Sequence, residues 1–157
     1  MLVMSMEDKI LKTTTIINKP LIEVFDFFSK AENLNVLTPP KVQFKILTPL
    51  PIPMFPGQII KYRIKLFGIP FFWKTEIDEW NPPHKFVDSQ LSGPYVVWHH
   101  QHIFKEVDGK TEMIDIVRYK SKGWILAPFF HWLFVDKNVN EIFAYREKRL
   151  NEIFGNN

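Results

Sequence analysis

The stretch SGPYVVWHHQHIF, Ser92 to Phe104, holds three of the chain's five histidines among large apolar residues. Two of them, His100 and His102, are two residues apart. On an extended strand that spacing puts both imidazoles on one face, with Cα atoms roughly 7 Å apart. Imidazole changes charge near neutral pH and is the commonest metal ligand, so such a pair can orient a ligand, move a proton or hold a metal. What opposes the pair decides among these. Asp108-Gly109 is a strong two-residue hairpin signal. A turn there pairs Val107 with Lys110, Phe104 with Met113, His102 with Asp115, His100 with Val117 and Trp98 with Tyr119. On the other face the same register opposes Lys105 to Glu112 and His99 to Arg118. An opposed Lys–Glu pair belongs in water, so the face carrying Trp98, His100, His102, Phe104, Met113, Asp115, Val117 and Tyr119 is the interior.

Two imidazoles and a carboxylate then converge, and three chemistries are open. A His102–Asp115 hydrogen bond can simply satisfy two buried polar groups. Alternatively, His100 or His102 offers a polar handle to a bound molecule or acts as an acid or base, with Asp115 orienting His102 and with Tyr119 or Arg146 facing an oxyanion. The third chemistry is a non-haem iron facial triad. No further ligand or cupin-type glycine pattern accompanies the His-x-His, so no metal and no cofactor are expected. His100, His102 and Asp115 are the catalytic candidates, none of them firm.

The elements that must position these residues follow from the pattern of the chain. Lys9 to Ile17 reads as a strand. Leu21, Val24, Phe25 and Phe28 fall at helical spacing behind Pro20. A second helical turn around Glu32 to Leu37 stops at Pro39 and Pro40. Lys41 to Leu47 is strand-like, TPLPIPMFPG is a loop, and further strands cover Gln58–Phe67, Pro70–Trp80, Lys85–Leu91, Tyr95–Val107 and Lys110–Lys120. A turn at Gly68-Ile69 pairs Leu66 with Phe71, Ile64 with Trp73, Tyr62 with Thr75 and Ile60 with Ile77, and sets Lys61 against Glu76 outside. The closing helix, from about Phe134 to Phe154, has an apolar stripe at Val135, Val139, Ile142, Phe143, Leu150 and Ile153, with Arg146 inside it. A buried guanidinium needs a partner; otherwise its stem lies on the sheet and its head reaches solvent.

A chain of 157 residues, 46% hydrophobic and 24% charged, suits one domain over residues 1–157. An aromatic content of 15%, with 15 Phe and 5 Trp, supplies more ring surface than a small core needs, which a lined cavity would use. The net charge of +3 is scattered, and Lys61, Arg63 and Lys65 alternate away from Tyr62 and Ile64, so no nucleic-acid partner is expected. Cysteine is absent, which excludes disulfides and thiolate chemistry. Together with an N-terminus unlike a signal peptide, it points to the cytoplasm. The run from Gly123 to Val135 is about half a membrane span.

The stretches PLIEVFDFFSKAENL, LTPP, FVDSQLSGPYVVWHHQHIF and IFAYREKRL together resemble the SRPBCC or START-like superfamily, in its polyketide cyclase/dehydrase and lipid-transport branch, over nearly the whole chain. The Trp98-x-His100-x-His102-x-Phe104 pattern is similar to that of a bacterial subgroup of unsettled role. The resemblance implies an α+β helix-grip fold. In it a curved seven-stranded antiparallel sheet wraps a long C-terminal helix, two short helices lie between strands 1 and 2, and a pocket encloses an apolar molecule.

The function expected on these grounds is binding, with carriage a further step, of a small apolar molecule such as a lipid, quinone or polyketide-like compound. The alternative is a cyclase/dehydratase-type enzyme using the His–Asp pair. The expected ligand-binding residues are Tyr62, Ile64, Trp73, Trp98, His100, His102, Phe104, Met113, Asp115, Val117, Tyr119, Phe143 and Arg146. The segment Ser121 to Phe134 is expected to form the pocket entrance and to touch a membrane surface transiently. No sequence signal sets an oligomeric state.

Overall fold

The computed structural model describes residues 7–66, 68–121 and 128–155, and their side chains apart from those of Leu66, Ser121 and residues 128–136. Strand β1 (Lys9–Ile17) leads into helix α1 (Leu21–Phe28). Two 3-10 turns follow, Ala31–Asn35 and Pro40–Val42, and then the strands β2 (Lys45–Ile46), β3 (Ile59–Leu66), β4 (Ile69–Asn81), β5 (Lys85–Ser92), β6 (Tyr95–Val107) and β7 (Lys110–Ser121). The chain closes with α2 (Pro128–Phe154). All seven strands form one antiparallel sheet in the order β1-β7-β6-β5-β4-β3-β2. The elements form an α+β helix-grip fold. No helix among the described residues is long and apolar enough to cross a membrane.

The β6–β7 ladder has the register that the Asp108-Gly109 turn dictates: Phe104 lies opposite Met113, His102 opposite Asp115, His100 opposite Val117 and Trp98 opposite Tyr119. Both turn residues have positive φ, 52° at Asp108 and 73° at Gly109, as a two-residue turn matching strand twist requires. The β3–β4 ladder differs from expectation. Leu66 pairs with Ile69, Ile64 with Phe71 and Tyr62 with Trp73, so Lys61 meets Lys74 rather than Glu76. The turn lies one residue earlier, with the left-handed position at Gly68, φ 76°. Each partner shifts by two, an even number, so the inward and outward faces survive.

Three boundaries also differ. Lys41–Leu47 is extended only over Lys45–Ile46, because Pro40 opens a 3-10 turn and Gln43 then takes φ 46°. Helix α2 begins at Pro128 rather than near Phe134, and proline suits a first turn, where its missing N–H has no intrahelical partner. On the helix stripe Val139, Phe143, Arg146 and Leu150 are buried, but the last inward residue is Phe154 and Ile153 is exposed. The expected entrance and membrane contact, residues 121–134, lie outside the described side chains, as does that of Val135.

The core lies between the concave face of the sheet and the helices. One cluster joins Val24, Phe25 and Phe28 of α1 to Phe86, Phe104 and Met113 of the sheet and to Leu150 and Phe154 of α2. A second joins Ile64, Trp73, Tyr95, Val117 and Tyr119 to Val139 and Phe143. A corner clasp fixes the β5–β6 connection: Gln90 Nε2 donates to Tyr95 O at 2.7 Å, and Tyr95 N donates back to Gln90 Oε1 at 3.2 Å.

Gly109 makes a test of the register, because a Cβ there meets no atom within 4 Å and any cost is conformational. Gly109→Ala is expected to lower stability by about 1 kcal/mol. Urea denaturation checks this as a lower midpoint with an unchanged slope.

Candidate functional site

Between the two packed clusters lies a cavity of about 180 Å³. Of the residues singled out in the sequence, Tyr62, Ile64, Trp73, Trp98, His100, His102, Phe143 and Arg146 line it. Phe104, Met113, Asp115, Val117 and Tyr119 are buried in the packing and are not part of its wall. The remaining wall includes Phe28, Leu37, Val42 and Phe44 from the α1-to-β2 region, Thr75, Ile77 and Phe86 of the sheet, and Asp88.

The rings tile the wall through mutual contacts. Tyr62 stacks on Trp73 at 5.6 Å, Trp98 meets Trp73 edge-on at 5.2 Å, and Tyr95 lies 4.8 Å from Trp98. Much of the chain's remaining aromatic content is solid core. Phe25 packs against Trp80, Phe86 and Phe104, and Phe28 against Phe104. Two residues of the wall, Trp73 and Arg146, each have a buried nitrogen, Nε1 and Nε, with no protein hydrogen-bond partner.

The wall residues Asp88, His100, His102 and Arg146 form one connected group with Asp115 behind them. Asp115 Oδ1 lies 2.8 Å from His100 Nε2, 3.1 Å from His102 Nδ1 and 3.5 Å from Arg146 Nη2. On the cavity side, Asp88 Oδ2 lies 3.0 Å from His102 Nε2 and 4.0 Å from His100 Nδ1. Asp88 reaches the group because β5 runs beside β6 with Asp88 opposite His100 and Phe86 opposite His102. Phe86 also stacks on the His102 ring at 4.0 Å. The His100 and His102 rings lean together to 3.7 Å between centroids. The expected His102–Asp115 opposition is present, but the shorter contact to Asp115 comes from His100, and Asp88 is a second carboxylate that the sequence reading did not include.

Arg146 is buried at 7% exposure, so its head does not reach solvent. It pairs with Asp115 and lies between rings, 5.2 Å from the Phe28 centroid and 5.8 Å from that of Phe143. An aromatic face compensates part of a guanidinium's lost hydration.

Charge follows from these contacts. Burial, followed by the repulsion of a charged His102, pushes His100 down to about 4 despite the Asp115 hydrogen bond, so it is neutral at pH 7. Burial raises the Asp115 carboxyl, but the Arg146 charge and the hydrogen bonds from His100 and His102 more than reverse this and hold it well below the ordinary carboxylate range. Burial opposes ionisation of Asp88 too, and the His102 hydrogen bond with nearby positive charge outweighs it. An ionised carboxylate only accepts. His100 Nε2, hydrogen-bonded to Asp115 Oδ1, and His102 Nε2, hydrogen-bonded to Asp88 Oδ2, therefore carry protons. Arg146 Nη2 donates to His102 Nδ1 at 3.4 Å.

Arg146→Leu leaves Asp115 buried without its counter-ion and is expected to cost about 3–5 kcal/mol. Arg146→Leu/Asp115→Leu is expected to recover a large part of that loss, because no isolated charge remains. Guanidinium denaturation of the two variants measures the difference, and equal losses in both would contradict the pairing.

No protein-family model and no curated protein matches the chain. Solved structures do. The Zhui aromatase/cyclase from Streptomyces sp. R1128 superposes with a TM-score of 0.74 at 13% identity, over 92% of this chain and 92% of that one. A START superfamily protein from Mycobacterium smegmatis gives 0.70 at 11% identity, over 96% and 99%. Protein Ms6760 from Mycobacterium smegmatis gives 0.67 at 18% identity, over 94% and 96%. At these identities the likeness is one of architecture, and it agrees with the strand order and helices described above. The chain has the SRPBCC, or START-like, helix-grip fold.

Proposed function

We propose that the protein binds a small, largely apolar molecule carrying a hydrogen-bond acceptor. The observation that carries this reading is the cavity of about 180 Å³, walled by rings and aliphatic side chains, among them Trp73, whose buried Nε1 donor has no protein hydrogen-bond partner. A buried N–H without an acceptor is costly and is usually matched in the working state of a protein. A carbonyl, carboxylate or hydroxyl oxygen on an otherwise apolar ligand would match it, as in a fatty acid, a quinone or a polyketide-like ketone. The fold neighbours are compatible with ligand binding of this kind. Carriage of the ligand between sites is a further part of the proposal and rests on the fold alone.

A second reading, acid–base catalysis, is favoured by one observation: His102 sits between Asp88 and Asp115 and lines the cavity. A histidine oriented by a carboxylate is the usual general base for an acidic proton next to a ligand carbonyl. The neighbour whose name is aromatase/cyclase has the same architecture, which makes polyketide-like ketones the compounds to test.

Titration with fatty acids, quinones and aromatic ketones is expected to change the tryptophan fluorescence saturably for one of these classes. Trp73→Phe is expected to weaken that ligand by roughly tenfold, the value of a buried hydrogen bond. Ile64→Trp, which fills the cavity from a buried wall position, is expected to abolish binding in a folded protein. No saturable response to any class would end the binding reading. For the second reading, the bound ketone is followed by mass spectrometry. Conversion that disappears in His102→Gln while binding persists identifies catalysis, and no conversion by the wild type removes it.

A further inference from the structure

We propose that Asp88, His100 and His102 form a binding site for a divalent first-row transition-metal ion of the Zn(II)/Fe(II) class, open to the cavity. One ligand atom from each residue lies within 4.8 Å of the other two. Asp88 Oδ2 is 3.0 Å from His102 Nε2 and 4.0 Å from His100 Nδ1. An ion bound at 2.0–2.2 Å keeps neighbouring ligand atoms about 2.8–3.1 Å apart in octahedral and about 3.3–3.6 Å apart in tetrahedral geometry. The Asp88–His102 separation already fits the octahedral spacing, and the Asp88–His100 separation closes with a shift of under about 1 Å.

The argument for a cation rests on which nitrogens meet. His100 Nε2 donates to Asp115 Oδ1 at 2.8 Å, and its other nitrogen, Nδ1, lies 4.0 Å from Asp88 Oδ2. His102 Nε2 meets the same Asp88 oxygen at 3.0 Å in a hydrogen bond; a metal ion would take the place of that proton, with Asp115 Oδ1 3.1 Å from His102 Nδ1 on the far side of the ring. Asp115 would then serve both rings as an outer carboxylate serves metal-bound histidine. It stands outside the cavity wall, whereas Asp88, His100 and His102 are all in it. The layers are thus in the order a metal centre needs, with outer carboxylate, ligands, metal and open space in sequence. Two imidazoles and one carboxylate suit zinc and iron and leave positions for water or an apolar ligand's oxygen. The backbone beneath is rigid, since Asp88 and His100 are paired residues on neighbouring strands. The facial triad raised and set aside in the sequence analysis would have used Asp115 as its carboxylate; here Asp115 holds the outer position and Asp88 the ligand position.

The site stands independently of the proposed ligand, and its test contains no apolar compound. Untagged protein stripped with a chelator is titrated with Zn(II) alone and with Co(II) alone, and followed by calorimetry and thermal denaturation. One ion per chain is expected, together with a higher melting temperature. Asp88→Asn, with its fold checked by circular dichroism, is expected to lower the affinity at least tenfold. Asp115→Asn is expected to lower it about 10- to 100-fold, as losses of outer-layer partners do. Absence of stoichiometric binding overturns the proposal. Unchanged affinity in folded Asp88→Asn also overturns it, because the ion then sits on surface histidines such as His84 or His99. If Asp88→Asn does not fold, pulsed electron paramagnetic resonance of wild type with one equivalent of Cu(II) counts the bound imidazoles. Two support the site, and fewer overturn it.

Discussion

A single oxygen, Asp115 Oδ1, holds the interior together. It meets two histidines of β6 and an arginine of α2, so its charge is compensated only when the sheet and the closing helix are in place together. Burying a carboxylate and a guanidinium costs several kcal/mol each before they attract one another. That cost makes the arrangement selective. A helix turned by one residue would put Arg146 away from Asp115 and leave two isolated charges among apolar side chains. The Phe28 and Phe143 rings that flank Arg146 extend the dependence to α1, and three layers share one electrostatic reference point.

The cavity is the space that this arrangement leaves. Rings of α1 and the nearby strands interlock at one end of the sheet, and rings of β3, β4 and β6 line the other. Large flat side chains that contact each other edge-on form a rigid wall more readily than they fill a volume. The polar group sits where the two regions meet and presents Asp88, His100 and His102 to the open side. The neighbours in solved structures, at 11–18% identity, keep the same architecture, so the helix-grip shape rests on patterning while the chemistry rests on a few positions.

Most of this architecture was readable in the sequence, because the α1 periodicity and the Asp108-Gly109 turn are local signals with a unique geometric meaning. The latter set the face and pairing of every residue from Trp98 to Tyr119. Gly68 was less decisive: the turn could begin one residue earlier or later, and only the pattern of faces was safe. Asp88 was not readable. Phe86 and Val87 are both buried, which blurs the alternation in β5, and a two-residue turn at Gly93-Pro94 would set Asp88 opposite His99. The observed ladder is offset from that by one residue and brings Asp88 to His100. In a strand one residue is the difference between the two faces. Arg146 stood out as a charge within an apolar stripe, but only the distance to Asp115 decides between pairing and reaching solvent.

The pairing of β1 with β7 joins Lys9 to Tyr119, across more than two thirds of the chain's 157 residues. During synthesis at about 5–20 residues per second, the first strand emerges roughly 5–20 s before its partner exists. Over that time Leu11, Thr13 and Thr15, which will lie against Val117, Asp115 and Met113, have nothing to pair with. The counter-ion for Asp115 comes later still, on the final helix. The cavity and its polar group are therefore among the last parts of the molecule to be completed. A ribosome that stops short of Arg146 leaves a nascent chain whose sheet can close around a carboxylate lacking its guanidinium, a natural substrate for chaperones and proteases.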